Sequence, residues 1–203
     1  MEINVLFTAL LLITIVLLFE FSNGFNDCAN MVVTPVVTGA LEPRRALLLI
    51  AVFEFAGAWF LGTAVAQTLG KGIINPQYIT VPVLFAAVCG AILWNLGGWY
   101  FGMPSSSSHA LIGGLVGAVV TGSGAQWIHW VKVGEILAIL VLTPVVGLLG
   151  GRYLTRRVLA LSRGLRPGRA NARLKRLQVL TSITLALSHG TNDAQKGMGI
   201  ISL

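Results

Sequence analysis

Two short polar segments of the chain match each other residue by residue. Residues 22–30 (SNGFNDCAN) align with residues 188–196 (SHGTNDAQK) at a constant spacing of 166, and Ser, Gly, Asn and Asp coincide in type. Both segments interrupt apolar stretches, and an Asp at the centre of a membrane helix costs about 2.5–3.5 kcal/mol unless a cation, a proton or a donor lies beside it. Carboxylate and amide oxygens suit Na⁺ or a proton-exchanging carboxyl. The repeat predicts a coupling-cation site at Asn26, Asp27, Asn30, Asn192 and Asp193, with Asp27 and Asp193 as candidate Na⁺ ligands.

A run of four serines follows Pro104 and opens an apolar segment that is rich in small residues. Proline followed by polar residues is typical of a helix N-terminus. The free backbone N–H groups and the positive dipole end of such a terminus favour an oxyanion, and hydroxyl groups add neutral donors from which the anion can leave again. The competing interpretation is a serine-capped helix start without a ligand. The pattern predicts a substrate-anion site at Ser105, Ser106, Ser107 and Ser108.

Four further residues adjoin these motifs as possible accessory groups: Glu54, His109, His189 and Lys196. Each histidine is either a group that titrates near neutral pH or a packed, neutral side chain. Glu20 and Glu54 lie within or near apolar segments, where they could relay protons or be structural. Lys196 replaces the Asn30 of the first copy. We expect its ammonium to supply a fixed charge where a cation would otherwise sit, which favours proton coupling.

The composition of the chain excludes a soluble domain. The 203 residues are 55% hydrophobic and 10% charged, whereas soluble domains carry about 25% charged residues. Residues 72–131 contain no Lys, Arg, Asp or Glu. The sequence therefore predicts an all-α integral membrane protein that lies in the lipid bilayer of the cell membrane.

Nine of the 14 basic residues fall within residues 152–176, which contain no acidic residue. A basic stretch between apolar segments is typical of a cytoplasmic connection, by the positive-inside rule. An odd number of predicted crossings precedes it, so the N-terminus is expected outside. Tyr153 is the one aromatic residue interleaved with the basic ones, so a nucleic-acid partner is not expected.

Apolar runs of about 20 residues divide the chain into three parts. Residues 1–151 form a first repeat with a re-entrant hairpin at about 79–121, residues 152–176 form the basic cytoplasmic loop, and residues 177–203 begin a second repeat. The first helix is predicted to break at residues 22–30, and the last at Ser188. Because the two polar segments are entered from opposite sides, they are related by inverted topology, as in transporters built from broken helices.

The two Gly-x-Asn-Asp segments and residues 104–118 (PSSSSHALIGGLVGA) resemble the signatures of the inorganic phosphate transporter family called PiT, especially its bacterial members. The resemblance covers essentially the whole chain. It implies symport of inorganic phosphate with H⁺ or Na⁺, phosphate held by serine-rich hairpin tips, cations held around the Asn-Asp pairs, and a homodimer. It implies no cofactor and no enzymatic activity.

Three alternatives and one expectation about length follow. The same scaffold could carry sulfate, and an intramembrane serine hydrolase or a non-transporting membrane scaffold would also place Ser, His and Asp in membrane segments. His109 lies 82 residues after Asp27, so a second hairpin tip is expected about 82 residues after Asp193, near position 275. We therefore expect the chain to be an N-terminal fragment, with its second repeat truncated, that does not transport alone.

Overall fold

Apolar runs fold into six α-helices within residues 2–60, 72–103 and 105–201, the parts of the chain that the computed structural model describes. These residues contain no β-strand, so the predicted all-α class is confirmed. The helices are α1 (Glu2–Val37), α2 (Pro43–Phe60), α3 (Val81–Tyr100), α4 (Ser107–Gly122), α5 (Trp130–Ser162) and α6 (Pro167–Ile201). The predicted span at 46–66 extends beyond the described residues, and Pro104 also lies outside them.

Three of these helices are long and apolar enough to cross a membrane, namely α1, α3 and α5. α4 is apolar but has only 16 residues. α5 has no buried residue, and its large side chains, such as Leu148, face outward. An apolar exposed surface of this kind suits contact with lipid, because it presents few polar groups and an α-helix satisfies most of its backbone hydrogen bonds internally.

The predicted interruptions of the first and last helices are not present. α1 is continuous through residues 22–30, and α6 is continuous through residues 188–196. The polar side chains hydrogen-bond to groups on neighbouring helices, so the helical backbone hydrogen bonds need not be broken to satisfy them. α1 ends instead just before Gly39, whose φ of +66° is the left-handed conformation that terminates helices.

α3 and α4 form an antiparallel hairpin whose turn lies at residues 101–106. Gly98 lies against Ser105 beside the turn, while Gly114 packs so closely on Ala87 that a side chain there would overlap the Ala87 carbonyl. The base of the hairpin is closed by an isolated β-bridge between Ile74 and Ile128. These bounds agree with the hairpin expected at about 79–121.

The main apolar core lies between α1 and this hairpin. Phe19 of α1, Val88 of α3 and Val119 of α4 are completely buried in it. A smaller apolar cluster joins α1, α2 and α6 through Met31, Ile50 and Ala186. The helices that carry the two Asn-Asp segments are thus held together by burial of apolar area, the dominant favourable contribution to packing.

The basic stretch at 152–176 is mostly helical. α5 continues to Ser162 and α6 starts at Pro167, so the connection between them is four residues long. Arg157 lies over the Tyr153 ring, 5.1 Å from its centroid. The cytoplasmic position of this stretch and the division of the chain into repeats stay predictions.

Candidate functional site

The two copies of the repeat lie against each other on α1 and α6. Asn23 Nδ2 donates to Asp193 Oδ2 over 2.6 Å, and further along α1 the Thr38 hydroxyl donates to Gln178 Oε1 over 2.7 Å. Residue numbers rise along α1 while they fall along α6, so the two helices run antiparallel. Each copy therefore presents its polar side chains to the other in the opposite chain direction.

His189 joins three helices at this crossing. Its Nδ1 lies 2.7 Å from Glu54 Oε1 on α2, and its Nε2 lies 3.4 Å from Asp27 Oδ2 and 3.2 Å from Asp193 Oδ2. Both ring nitrogens face carboxylate oxygens, and both can donate at once only in the imidazolium form. One side chain thus bridges carboxylates from α1, α2 and α6.

Glycines permit the close approach of α2 and α6. A side chain at Gly190 would overlap the backbone carbonyl of Glu54, and one at Gly57 would overlap the carbonyl of Leu187. The Thr191 hydroxyl adds a hydrogen bond of 3.1 Å to the Gly57 carbonyl. The motif glycine of the second copy, Gly190, therefore allows Glu54 to lie beside His189 and does not unwind the helix.

Lys196 connects this cluster to the turn of the hairpin. Its Nζ donates to Asp193 Oδ1 over 2.6 Å and to Ser107 Oγ, at the first turn of α4, over 2.7 Å. Lys196 is 5% exposed and Ser107 is 3% exposed. A continuous polar network therefore runs from the serine run through α6 to α1 and α2.

Asp27, His189 and Asp193 each place one ligand atom within 4.8 Å of the others, a spacing at which three groups can share a metal ion. Na⁺ prefers an all-oxygen shell, whereas this set contains an imidazole nitrogen. Both Asp193 oxygens already accept hydrogen bonds, from Asn23 and Lys196. Na⁺ at Asp193 would therefore have to share its oxygens with these donors or displace them.

Several predicted residues lie away from this network. Asn30 and Asn192 are exposed. The Asn26 amide donates 3.3 Å to the Asn95 carbonyl of α3. Ser105, Ser106 and the exposed His109 line a separate cavity of about 670 Å³ beside Trp94 on the outer face of the hairpin. The half-buried Ser108 lines neither this cavity nor the polar network among the described contacts.

A second cavity, of about 490 Å³, opens between α1, α2 and α6. Its polar lining consists mainly of acidic groups and their partners: Glu20, Asn23, Glu54, His189 and Asp193. Its lining contains three carboxylates, whereas the hairpin cavity has none. The acid-lined cavity suits a cation, whereas the hairpin cavity is lined mainly by apolar side chains, with Ser105, Ser106 and His109 as its polar groups.

Two polar residues of the site, Asn23 and Asn95, were missed by reasoning from the sequence. Asn23 occupies the position in the first copy that His189 occupies in the second, so a comparison of identical residue types passes over it. Asn95 is 1% exposed and both of its side-chain polar atoms lack a partner in the described structure, as does Glu20 Oε1. A lone amide within a long uncharged run was the available signal for Asn95.

Comparison with known proteins assigns a family to this arrangement. The profile of the phosphate transporter family, PHO4, matches residues 23–164. A protein of Mycobacterium bovis named "Probable low-affinity inorganic phosphate transporter" is 42% identical over 98% of this chain and 48% of its own length. A Bacillus subtilis protein of the same name is 40% identical over the whole chain and 61% of its own length. The chain thus spans about half the length of these relatives.

A solved structure described as "The sodium-dependent phosphate transporter" has the same fold. It superposes with a TM-score of 0.80 over 96% of this chain and 66% of its own length, at 22% sequence identity. These relatives are named as transporters, and the matched family is a transporter family rather than a family of enzymes, so the comparisons do not support the serine hydrolase alternative. The family match covers most of the chain, including the first Asn-Asp copy and the serine run. This chain is a membrane protein of the phosphate transporter family.

Proposed function

We propose that the protein carries inorganic phosphate across the cell membrane together with H⁺ or Na⁺. The observation that carries this proposal is the contact of Lys196 with both Ser107 and Asp193, at 2.7 Å and 2.6 Å. It places a positive charge and the N-terminus of α4 on one side and a carboxylate cluster on the other. The proposed anion site and the proposed cation site are therefore adjacent, which supports coupled transport of the two ions.

Phosphate would bind at the tip of the hairpin. The first backbone N–H groups of α4 have no intrahelical partner, and Ser106 makes no side-chain capping hydrogen bond that would occupy them. The hydroxyls of Ser105, Ser106, Ser107 and Ser108 add donors. The Lys196 ammonium adds a positive charge and can donate a hydrogen bond directly to a phosphate oxygen.

The coupling cation would bind among the carboxylates of α1, α2 and α6. Lys196 already occupies one oxygen of Asp193, and His189 lies between Asp27 and Asp193. These donors compete with Na⁺ for the same oxygens, whereas a proton can be exchanged within the hydrogen-bonded network. The arrangement favours H⁺ over Na⁺ as the coupling ion.

The placement in the membrane follows from the hairpin. Its tip contacts Lys196, whose partner Asp193 contacts Asn23 near the middle of the 36-residue α1. A tip at that depth supports a re-entrant hairpin that does not cross the bilayer. With the basic stretch at 152–176 in the cytoplasm, the N-terminus lies outside and the two repeat copies have inverted topology. A homodimer is part of the same proposal.

Uptake of radiolabelled phosphate tests the proposal. Cells that lack other phosphate transporters and express the complete product of the gene that encodes these residues should accumulate phosphate, with uptake following the proton gradient at constant Na⁺. Strict dependence on Na⁺ at constant pH would contradict proton coupling but leave symport standing. An excess of sulfate should not compete, in keeping with relatives that are named for phosphate. Absence of gradient-dependent uptake would contradict the proposed function.

A further inference from the structure

We propose that Lys196 transmits anion binding to the carboxylate cluster, by exchanging its ammonium between Asp193 and an anion held at the first turn of α4. This inference rests on the proposed function and adds to it a residue that moves between two partners. Lys196 would then be a positioning residue for the cation as well as a direct ligand of the anion.

The Lys196 ammonium group is buried away from water. The Lys196 side chain is 6% exposed, and its two described hydrogen bonds go to Asp193 Oδ1 and Ser107 Oγ. A buried charge needs a partner of opposite charge, and Asp193 is the partner within hydrogen-bond distance. The neutral Ser107 hydroxyl marks the direction in which a second, anionic partner would lie.

The hydrogen-bonded bridge Ser107–Lys196–Asp193 connects two regions of the protein that have different cavities. Ser105 and Ser106 line the cavity on the hairpin face, which has no acidic residue, whereas Glu20, Glu54 and Asp193 line the cavity between α1, α2 and α6. Among the described contacts, Ser107–Lys196–Asp193 is the hydrogen-bonded path from the serine run to the acidic cavity. A displacement of the Lys196 ammonium toward the serine run would therefore change the hydrogen bonding of Asp193 in the acid-lined cavity.

The Asp193 carboxylate would keep its other hydrogen-bond partners if the Lys196 ammonium moved away. Its Oδ2 still accepts from Asn23 over 2.6 Å and lies 3.2 Å from His189 Nε2. Its Oδ1, by contrast, has Lys196 as its described donor. Withdrawal of the ammonium would expose that one oxygen to the acid-lined cavity while the carboxylate stays fixed in place. Anion binding would thus create a cation ligand, and linkage requires the cation to strengthen anion binding in return.

The experiment is a double-mutant cycle on inorganic phosphate binding by the purified protein in lipid nanodiscs. Lys196→Gln should weaken phosphate binding by about tenfold, the loss of one charged hydrogen bond. Measured without Na⁺ and at alkaline pH, so that the cation linkage does not contribute, Asp193→Asn should tighten phosphate binding several-fold, because the ammonium loses its competing partner. Lys196→Gln/Asp193→Asn should bind as weakly as Lys196→Gln alone. Glu42→Gln, which removes an exposed carboxylate that pairs with Arg45 and lies outside the network, is the matched control for a general change of charge and should bind phosphate like the wild type.

The outcomes separate the two proposals. A structural ion pair predicts that both single substitutions weaken binding, and a general charge effect predicts that Asp193→Asn helps even when Lys196 is absent; either result overturns this inference and leaves the proposed function standing. Absence of phosphate binding by the wild type would overturn both. Nitrogen–phosphorus dipolar coupling in wild-type protein labelled at lysine Nζ needs no substitution. Coupling to bound phosphate is expected, and its absence overturns the exchange.

Discussion

Asn23 of α1 donates to Asp193 of α6 over 2.6 Å, and this bond ties the first copy of the repeat directly to the second. Asn23 is 3% exposed, so its amide has little access to water. The bond orients the Asp193 carboxylate so that its other oxygen faces Lys196. The antiparallel crossing of α1 and α6 therefore also fixes the orientation of the Asp193 carboxylate.

Replacing Asn23 should destabilise the protein measurably. Asn23→Ala removes the 2.6 Å donor of Asp193 Oδ2 and leaves only the more distant His189 Nε2 at 3.2 Å, which should cost about 1–3 kcal/mol in the free energy of unfolding. Denaturant unfolding in detergent micelles measures this change. Asn192→Ala is the matched control, because the exposed Asn192 should change stability by less than about 0.5 kcal/mol. Equal losses for the two variants would contradict the assignment.

The two motif glycines should respond in opposite ways to the same substitution. Gly190→Ala places a methyl group into the Glu54 carbonyl and should cost about 1–3 kcal/mol or more by overpacking. Gly24→Ala, at the equivalent position of the first copy, meets no atom within 4 Å and should be neutral or stabilising by up to about 1 kcal/mol. Thermal unfolding of both variants checks this. A destabilised Gly24→Ala would show that the two copies are packed alike.

Loss of the His189 bridge should loosen the contact between α2 and α6. His189→Gln cannot reach Glu54, Asp27 and Asp193 together, and we expect a loss of about 1.5–3 kcal/mol, typical of hydrogen bonds to charged groups. His109→Gln, at an exposed position on the hairpin, serves as the control and should leave the unfolding midpoint unchanged. If His109→Gln were the more damaging change, the bridging role would be wrong.

Replacing Ser107 should weaken phosphate binding more than replacing a serine whose hydroxyl bonds within its own helix. Ser107→Ala removes the hydroxyl at the Lys196 end of the serine run and should weaken phosphate binding by about tenfold. Ser162→Ala at the end of α5, where the hydroxyl bonds its own helix, should bind like the wild type. Equilibrium binding of radiolabelled phosphate measures both, and unchanged binding by Ser107→Ala would count against the tip as the anion site.

Membrane orientation can be tested by labelling of single cysteines. In a background with Cys28→Ser and Cys89→Ser, Gln126→Cys at the base of the hairpin should react with a membrane-impermeant maleimide on intact cells. Arg166→Cys, between α5 and α6, should react only after the membrane is permeabilised. Both positions are exposed, so accessibility within the protein does not limit the reaction. The reverse pattern would invert the proposed topology.

Much of the fold follows from local patterns in the sequence. Uncharged runs become helices, because the backbone must satisfy its own hydrogen bonds in an apolar environment. The turn at residues 101–106 falls where glycine and serine residues end one apolar run and begin another. The predicted helix breaks were wrong because the polar side chains find hydrogen-bond partners on other helices. Such tertiary partners cannot be recognised from one segment of sequence.

The sequence by itself determined the membrane character, the all-helical class, the pair of Asn-Asp segments and the serine run, because each depends on residue type and spacing along one stretch of chain. Only the tertiary structure decided which of those residues meet. It brought Asp27, Glu54, Ser107, His189, Asp193 and Lys196 together, and it left Asn30, Asn192 and His109 exposed. The reason is physical: side-chain direction around a helix and the crossing of helices that are far apart in sequence determine these contacts, and neither is encoded in residue type alone.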